Sequence, residues 1–144
     1  MLTIYSDDHR LHHGAAELID GSFKPCFEMP DMVLARAMAV GLGDVIAPEE
    51  FGLSPILRVH DQGFVNFLEN AWLDWRAIGR SGDMLPMTWP IRRLRSICPG
   101  DIDGKLGYYS FDAGAPITAG TWQAIRSSAN VAMTGQAELV KGAR

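Results

Sequence analysis

The chain has 144 residues, an apolar share of 47% and a formal charge of −4, enough for one folded unit with a real core. It carries no basic stripe for neutralising phosphate, which argues against a nucleic-acid partner. Met1–Tyr5 has no basic leader, and no stretch nears the roughly 20 apolar residues of a membrane span, so the expectation is a soluble, cytoplasmic protein.

Leu2-Thr3-Ile4-Tyr5 alternates branched and aromatic residues and ends in Ser6-Asp7-Asp8, which predicts a short strand feeding a loop. From His9 to Pro30 the glycines at 14 and 21 and the prolines at 25 and 30 predict a long polar loop without a regular element. Met32 to Leu42 then reads as a helix ended by Gly41 and Gly43, and Asp44–Pro48 as a second strand. Ser54-Pro55 suits a helix start, with serine as cap and proline in the first turn. After Asp61 as cap, Phe64, Phe67, Leu68, Ala71, Trp72 and Trp75 recur at the spacing of one helical face, and Gly79 ends the run. This aromatic stripe reads as core packing.

Residues 79 to 116 carry four prolines and six glycines, which predicts a long excursion rather than packed secondary structure, of the kind that serves function or an interface. A last helix runs from near Thr118 through Trp122, Ile125, Ala129, Ala132 and Val140 to Gly142. A helix with no strand after it is an odd place for an α/β domain to stop, so the expectation is a unit continued elsewhere.

The four histidines are the natural candidates for a metal or a general base. Asp7-x-His9 after a strand looks like half of a metal site, but no third ligand stands nearby, and a loop rich in hydrogen bonds is the plainer reading of His9, His12 and His13. His60, between two helices, reads as a turn residue. Arg92, Arg93 and Arg95 form either a solvated loop or an anion site. Cys26 and Cys98, lacking CxxC spacing, predict reduced thiols. No phosphate loop, nucleophile elbow or HExxH motif occurs, so the residues alone assign no catalytic group.

Several segments together resemble the opening of the bacterial acetylpolyamine amidohydrolases, relatives of the class II histone deacetylases. They are Ile4-Tyr5-Ser6-Asp7-Asp8-His9, Glu17-Leu18, Pro25-Cys26-Phe27-Glu28-Met29-Pro30, Arg58–Leu68 with Ala71-Trp72, Asp101-Ile102-Asp103-Gly104, Gly107-Tyr108-Tyr109 and Ile117–Trp122. The resemblance implies the amino-terminal part of an arginase-like deacetylase fold, an α/β parallel sheet flanked by helices. It further implies a zinc-dependent hydrolysis of acetylated amines, from acetylpolyamines to acetyl-lysine peptides, and a homodimer. In the family a Pro-Gly-His-His pair, the Asp-x-His and later Asp that hold zinc, and a polarising Tyr follow such a segment. None occurs here, so the catalytic half is expected to be absent, and a non-catalytic fragment serving packing or dimerisation is the alternative. What this segment would supply is the rim of the substrate tunnel, from the loops at 9 to 30 and 79 to 116. By motif match, Glu17 and Asp103 are similar to rim acids that attract a cationic amine, the other reading being solvated loop carboxylates. Ile19, Gly114 and Met32 depart from the family pattern, at positions where an aromatic, an acid and an arginine are found.

Overall fold

The computed structural model describes residues 1–12, 16–19, 22–25, 28–91, 93–111, 113–114 and 116–142, with 16–19, 23–25 and 28 described in their backbone. His13, Cys26 and Arg92 lie outside the described residues. In chain order the elements are β1 (Thr3–Ile4), a 3-10 segment (Asp7–Leu11), β2 (Ala16–Ile19), β3 (Ser22–Pro25), α1 (Glu28–Ala39), β4 (Val45–Ile46), α2 (Ser54–Leu57), α3 (Gln62–Ala77), α4 (Ile102–Tyr109) and α5 (Thr121–Val140).

The two short strands expected at Leu2–Tyr5 and Asp44–Pro48 are found as β1 and β4, and they pair in parallel, as the family resemblance implies. Thr3 stands opposite Val45 and Ile4 opposite Ile46, extended by the Thr3 amide on the Asp44 carbonyl at 2.9 Å and the Tyr5 amide on the Ile46 carbonyl at 3.0 Å. Parallel neighbours need a crossover, and α1 lies within it. That helix starts earlier than expected. Pro30 falls in its first turn, where the missing amide has no helical partner to lose, so proline punctuates nothing there.

The expected loop from His9 to Pro30 contains more order than its composition predicts. β2 and β3 pair antiparallel, with Glu17 opposite Lys24 and Leu18 opposite Phe23. Two residues, Asp20-Gly21, separate Ile19 from Ser22, and this dipeptide is a strong hairpin signal.

α3 is as read. The Asp61 side chain accepts from the amides of Gly63 at 2.8 Å and Phe64 at 3.3 Å, and Val65, Phe67, Ala71 and Trp75 are buried on one face. Gly79 follows the helix at a φ of 79°. The cap of α2 differs: Leu53 holds that position without a side-chain bond, and Ser54 is already helical.

The 79–116 excursion also holds packed structure. Asp101 caps α4 through a 2.7 Å bond from the Gly104 amide, and Ile102 and Leu106 pack with Phe67, Ala71, Trp75, Met84 and Ile117 in one buried cluster. Met84 and Ile117 exchange two backbone bonds, at 2.9 and 3.0 Å, which draws the ends of the excursion together. Gly107 lies so close to the Thr88 carbonyl that a Cβ would overlap it, so α4 seats against backbone. α5 begins after Gly120, three residues later than expected, and Thr118 instead offers its backbone amide to Thr121 Oγ1 at 2.8 Å.

Candidate functional site

Ser6 begins the local structure of the 3-10 segment. Its hydroxyl accepts from the Asp8 amide at 3.2 Å and meets Ser127 Oγ on α5 at 2.8 Å. His9 Nδ1 lies 2.8 Å from the Ser6 carbonyl, which can only accept, so that nitrogen carries the proton. Asp8 receives a bond from Gln123 at 3.2 Å, and His12 Nδ1 meets Thr121 Oγ1 at 2.8 Å. A Cβ at Gly120 would overlap the Leu11 carbonyl. The segment is thereby fastened along the first turns of α5.

Asp31, in the first turn of α1, gathers the polar groups on the other side. Tyr5 Oη donates to its Oδ1 at 2.6 Å, Arg10 Nη2 reaches the same oxygen at 2.7 Å, and Arg10 Nε reaches Oδ2 at 3.1 Å. Hydrogen bonds from Arg10 and then Tyr5 hold the Asp31 carboxyl well below the usual carboxylate range. Burial first, and the Asp31 carboxylate second, push the Tyr5 hydroxyl far above an ordinary phenol.

The Asp7-x-His9 pair does not converge. Asp7 is exposed and pairs with Arg10 at 3.1 Å, while His9 Nε2 is directed at Asp31, 3.5 Å away. Among the described residues no three of His, Cys, Asp and Glu come together as a metal would require, so these residues do not fit a zinc site. His60 is a turn residue: its amide bonds the Ile56 carbonyl at 2.9 Å, and its ring lies 5.6 Å from that of Phe64. Arg93 and Arg95 are exposed, and Cys98 is an exposed free thiol.

Asp103 stands in the first turn of α4, about half exposed, with Arg80 Nη2 at 2.7 Å. Glu17 stands on β2 opposite Lys24. Each expected rim acid therefore has a cation at its side or in register with it. Between α3, α4 and α5 a cleft of 470 Å³ is lined by Phe64, Phe67, Tyr109, Trp122 and Ile125, with Arg126 among the polar groups. Tyr109 stacks on Phe67 at 5.0 Å, and burial, reinforced by Cys98, pushes its hydroxyl up to about 12. The sequence reading missed Tyr5, Arg10 and Asp31 as a group; no local signal joins residues 21 positions apart.

No family model matches the chain. It is 72% identical over its whole length to acetylpolyamine amidohydrolase 2 of Pseudomonas aeruginosa and 57% identical to acetylpolyamine amidohydrolase 1 of the same organism, covering 43% of each. The acetylpolyamine amidohydrolase of Mycoplana ramosa is 41% identical over 94% of the chain and 40% of that protein. A crystal structure of acetylpolyamine aminohydrolase from Burkholderia pseudomallei superposes with a TM-score of 0.82 at 26% identity, over 99% of this chain and 42% of that one. The chain thus spans under half the length of these relatives, at their amino-terminal end, and the expected α/β fold is the one found.

Proposed function

We propose that this chain, a homologue of the acetylpolyamine amidohydrolases along all of its 144 residues, is the amino-terminal segment of a single-domain amidohydrolase that removes acetyl groups from acetylated amines. The 72% identity to a protein of that name carries the reading. At such identity neighbouring chemistry is seldom replaced, whereas fold alone would not indicate function.

Hydrolysis adds water across the acetamide C–N bond, the oxygen going to the acyl carbon and the amine leaving with a proton. The relatives imply a metal for this step, and zinc is the ion that the sequence resemblance suggests. Its ligands are not among the described residues, so no step of this chain runs through it. The proposed contribution of the segment is to the approach. Loops 9–30 and 79–116 form the rim of the substrate tunnel and support pairing of two copies. Glu17 and Asp103 raise the local concentration of cationic substrate, a polyamine or an acetyl-lysine side chain, in a cytoplasmic enzyme. A carboxylate beside a cation, as Asp103 is beside Arg80, attracts less than a free one but is also held in place.

The test is acetate release by the intact protein from a monoacetylated diamine and from an acetyl-lysine peptide. Turnover lost to a chelator and restored by zinc supports the reading, and the preferred substrate decides between its two forms. No release from either substrate, with zinc supplied, sinks it.

A further inference from the structure

We infer that Arg10 and Asp31 form a clamp across the base of the β2–β3 hairpin and act as positioning residues for it. The functional part of this inference rests on the reading of that hairpin as tunnel rim.

Arg10 stands near the end of the 3-10 segment that leads into the hairpin, and Asp31 stands in the first turn of the helix that leads out of it. Their side chains make two roughly parallel bonds, Nη2 to Oδ1 at 2.7 Å and Nε to Oδ2 at 3.1 Å. This fork fixes orientation as well as distance, which a single lysine contact would not. Tyr5, from the end of β1, bonds the same carboxylate at 2.6 Å, tying the clamp to the parallel sheet. The incoming strut is held independently to α5, by Ser6 on Ser127, Asp8 on Gln123 and His12 on Thr121.

An isolated two-stranded hairpin is marginally stable in water. Anchored stems therefore help to set its direction, and the clamp joins the stems to each other and to the body of the fold. An exposed ion pair usually contributes little. Here the fork geometry, the Tyr5 bond and the partial burial of Asp31, 30% exposed, set it apart. The other charged or titratable groups at the node are Asp7, which bonds Arg10 at 3.1 Å, and His9, 3.5 Å from Asp31. Neither bridges both stems as a fork.

The test compares Asp31→Asn, Arg10→Gln and the double variant in the intact protein, with Arg10→Lys as the variant that keeps the charge but loses the fork. Hydrogen exchange is read at the backbone amides of 16–19 and 22–24 against those of α3, and KM and kcat are measured on a monoacetylated diamine. Each single variant is expected to speed hairpin exchange about fivefold while α3 is unchanged, with no further gain in the double variant. Arg10→Lys should recover less than half of the lost protection, and KM should rise about fivefold with kcat within about twofold of the parent. Hairpin exchange unchanged in both single variants, equal acceleration in α3, or additive effects in the double variant would each overturn the clamp. If the parent protein hydrolyses no acetylated amine, the functional reading fails on its own, and the exchange arm still decides the clamp.

Discussion

Replacing Gly107 and Gly135 by alanine should change stability in opposite directions. Both glycines are helical, Gly107 in α4 and Gly135 in α5, and alanine in a helix interior gains about 1 kcal/mol over glycine from propensity alone. At Gly135 the nearest atom to the new methyl is Ile4 Cδ1 at 3.5 Å, an ordinary contact, so the gain should be kept. At Gly107 the new methyl overlaps the Thr88 carbonyl, and backbone cannot swing away as a side chain can. α4 would have to withdraw, pulling Ile102 and Leu106, both under 10% exposed, from the core. With overpacking and partial loss of those contacts at about 3 kcal/mol, the net effect after the propensity gain is a loss of about 2 kcal/mol. Urea unfolding of the intact protein, followed by tryptophan fluorescence, would show this as a midpoint lower by about 1 M for Gly107→Ala. Gly135→Ala should move slightly upward. A Gly107→Ala protein as stable as its parent would refute the close seating of α4, and equal loss at both sites would refute the contrast.

Further outcomes concern charge. The bonds from Arg10 and Tyr5 hold the folded-state pKa of Asp31 below the ordinary aspartate value of 3.8, so its contribution is present above that value and is lost as pH falls through the depressed folded value. The stability gap between the parent and Asp31→Asn should accordingly be constant at neutral pH and close below about pH 4; a gap unchanged down to pH 2 would contradict the ion pair. Tyr109 shifts the other way, and its neutral form is the one favoured in the fold. Spectrophotometric titration should therefore lose a component near 12 in Tyr109→Phe. At low salt, Asp103→Asn should raise KM for a cationic acetylated amine a few-fold and leave a neutral acetamide unaffected, whereas Arg80→Gln should lower the former. Equal effects on both substrates would remove Asp103 from the rim.

Where neighbours along the chain supply the forces, the sequence alone determined the structure. Asp61 caps α3 through amides two and three residues on, and the buried stripe of Phe67, Ala71 and Trp75 is a period that one helix creates for itself. The strand, helix and strand of β1, α1 and β4 were legible for the same reason, though not the parallel pairing of the strands, as were the motifs that tied the chain to its relatives. α4 was not. With Gly104 and Gly107 in eight residues its propensity is poor, and it is helical because Asp101 caps it and Leu106 finds a buried place beside α3, a tertiary gain that outweighs local preference. The hairpin lay between: Asp20-Gly21 signals it, yet the nearby prolines argue against it, and only the register with Ala16 opposite Pro25 shows that proline closes the strand. Arg10, Tyr5 and Asp31 leave no periodic trace, because an ion pair depends on distance in space, and only folding brings residues 21 positions apart within 2.7 Å.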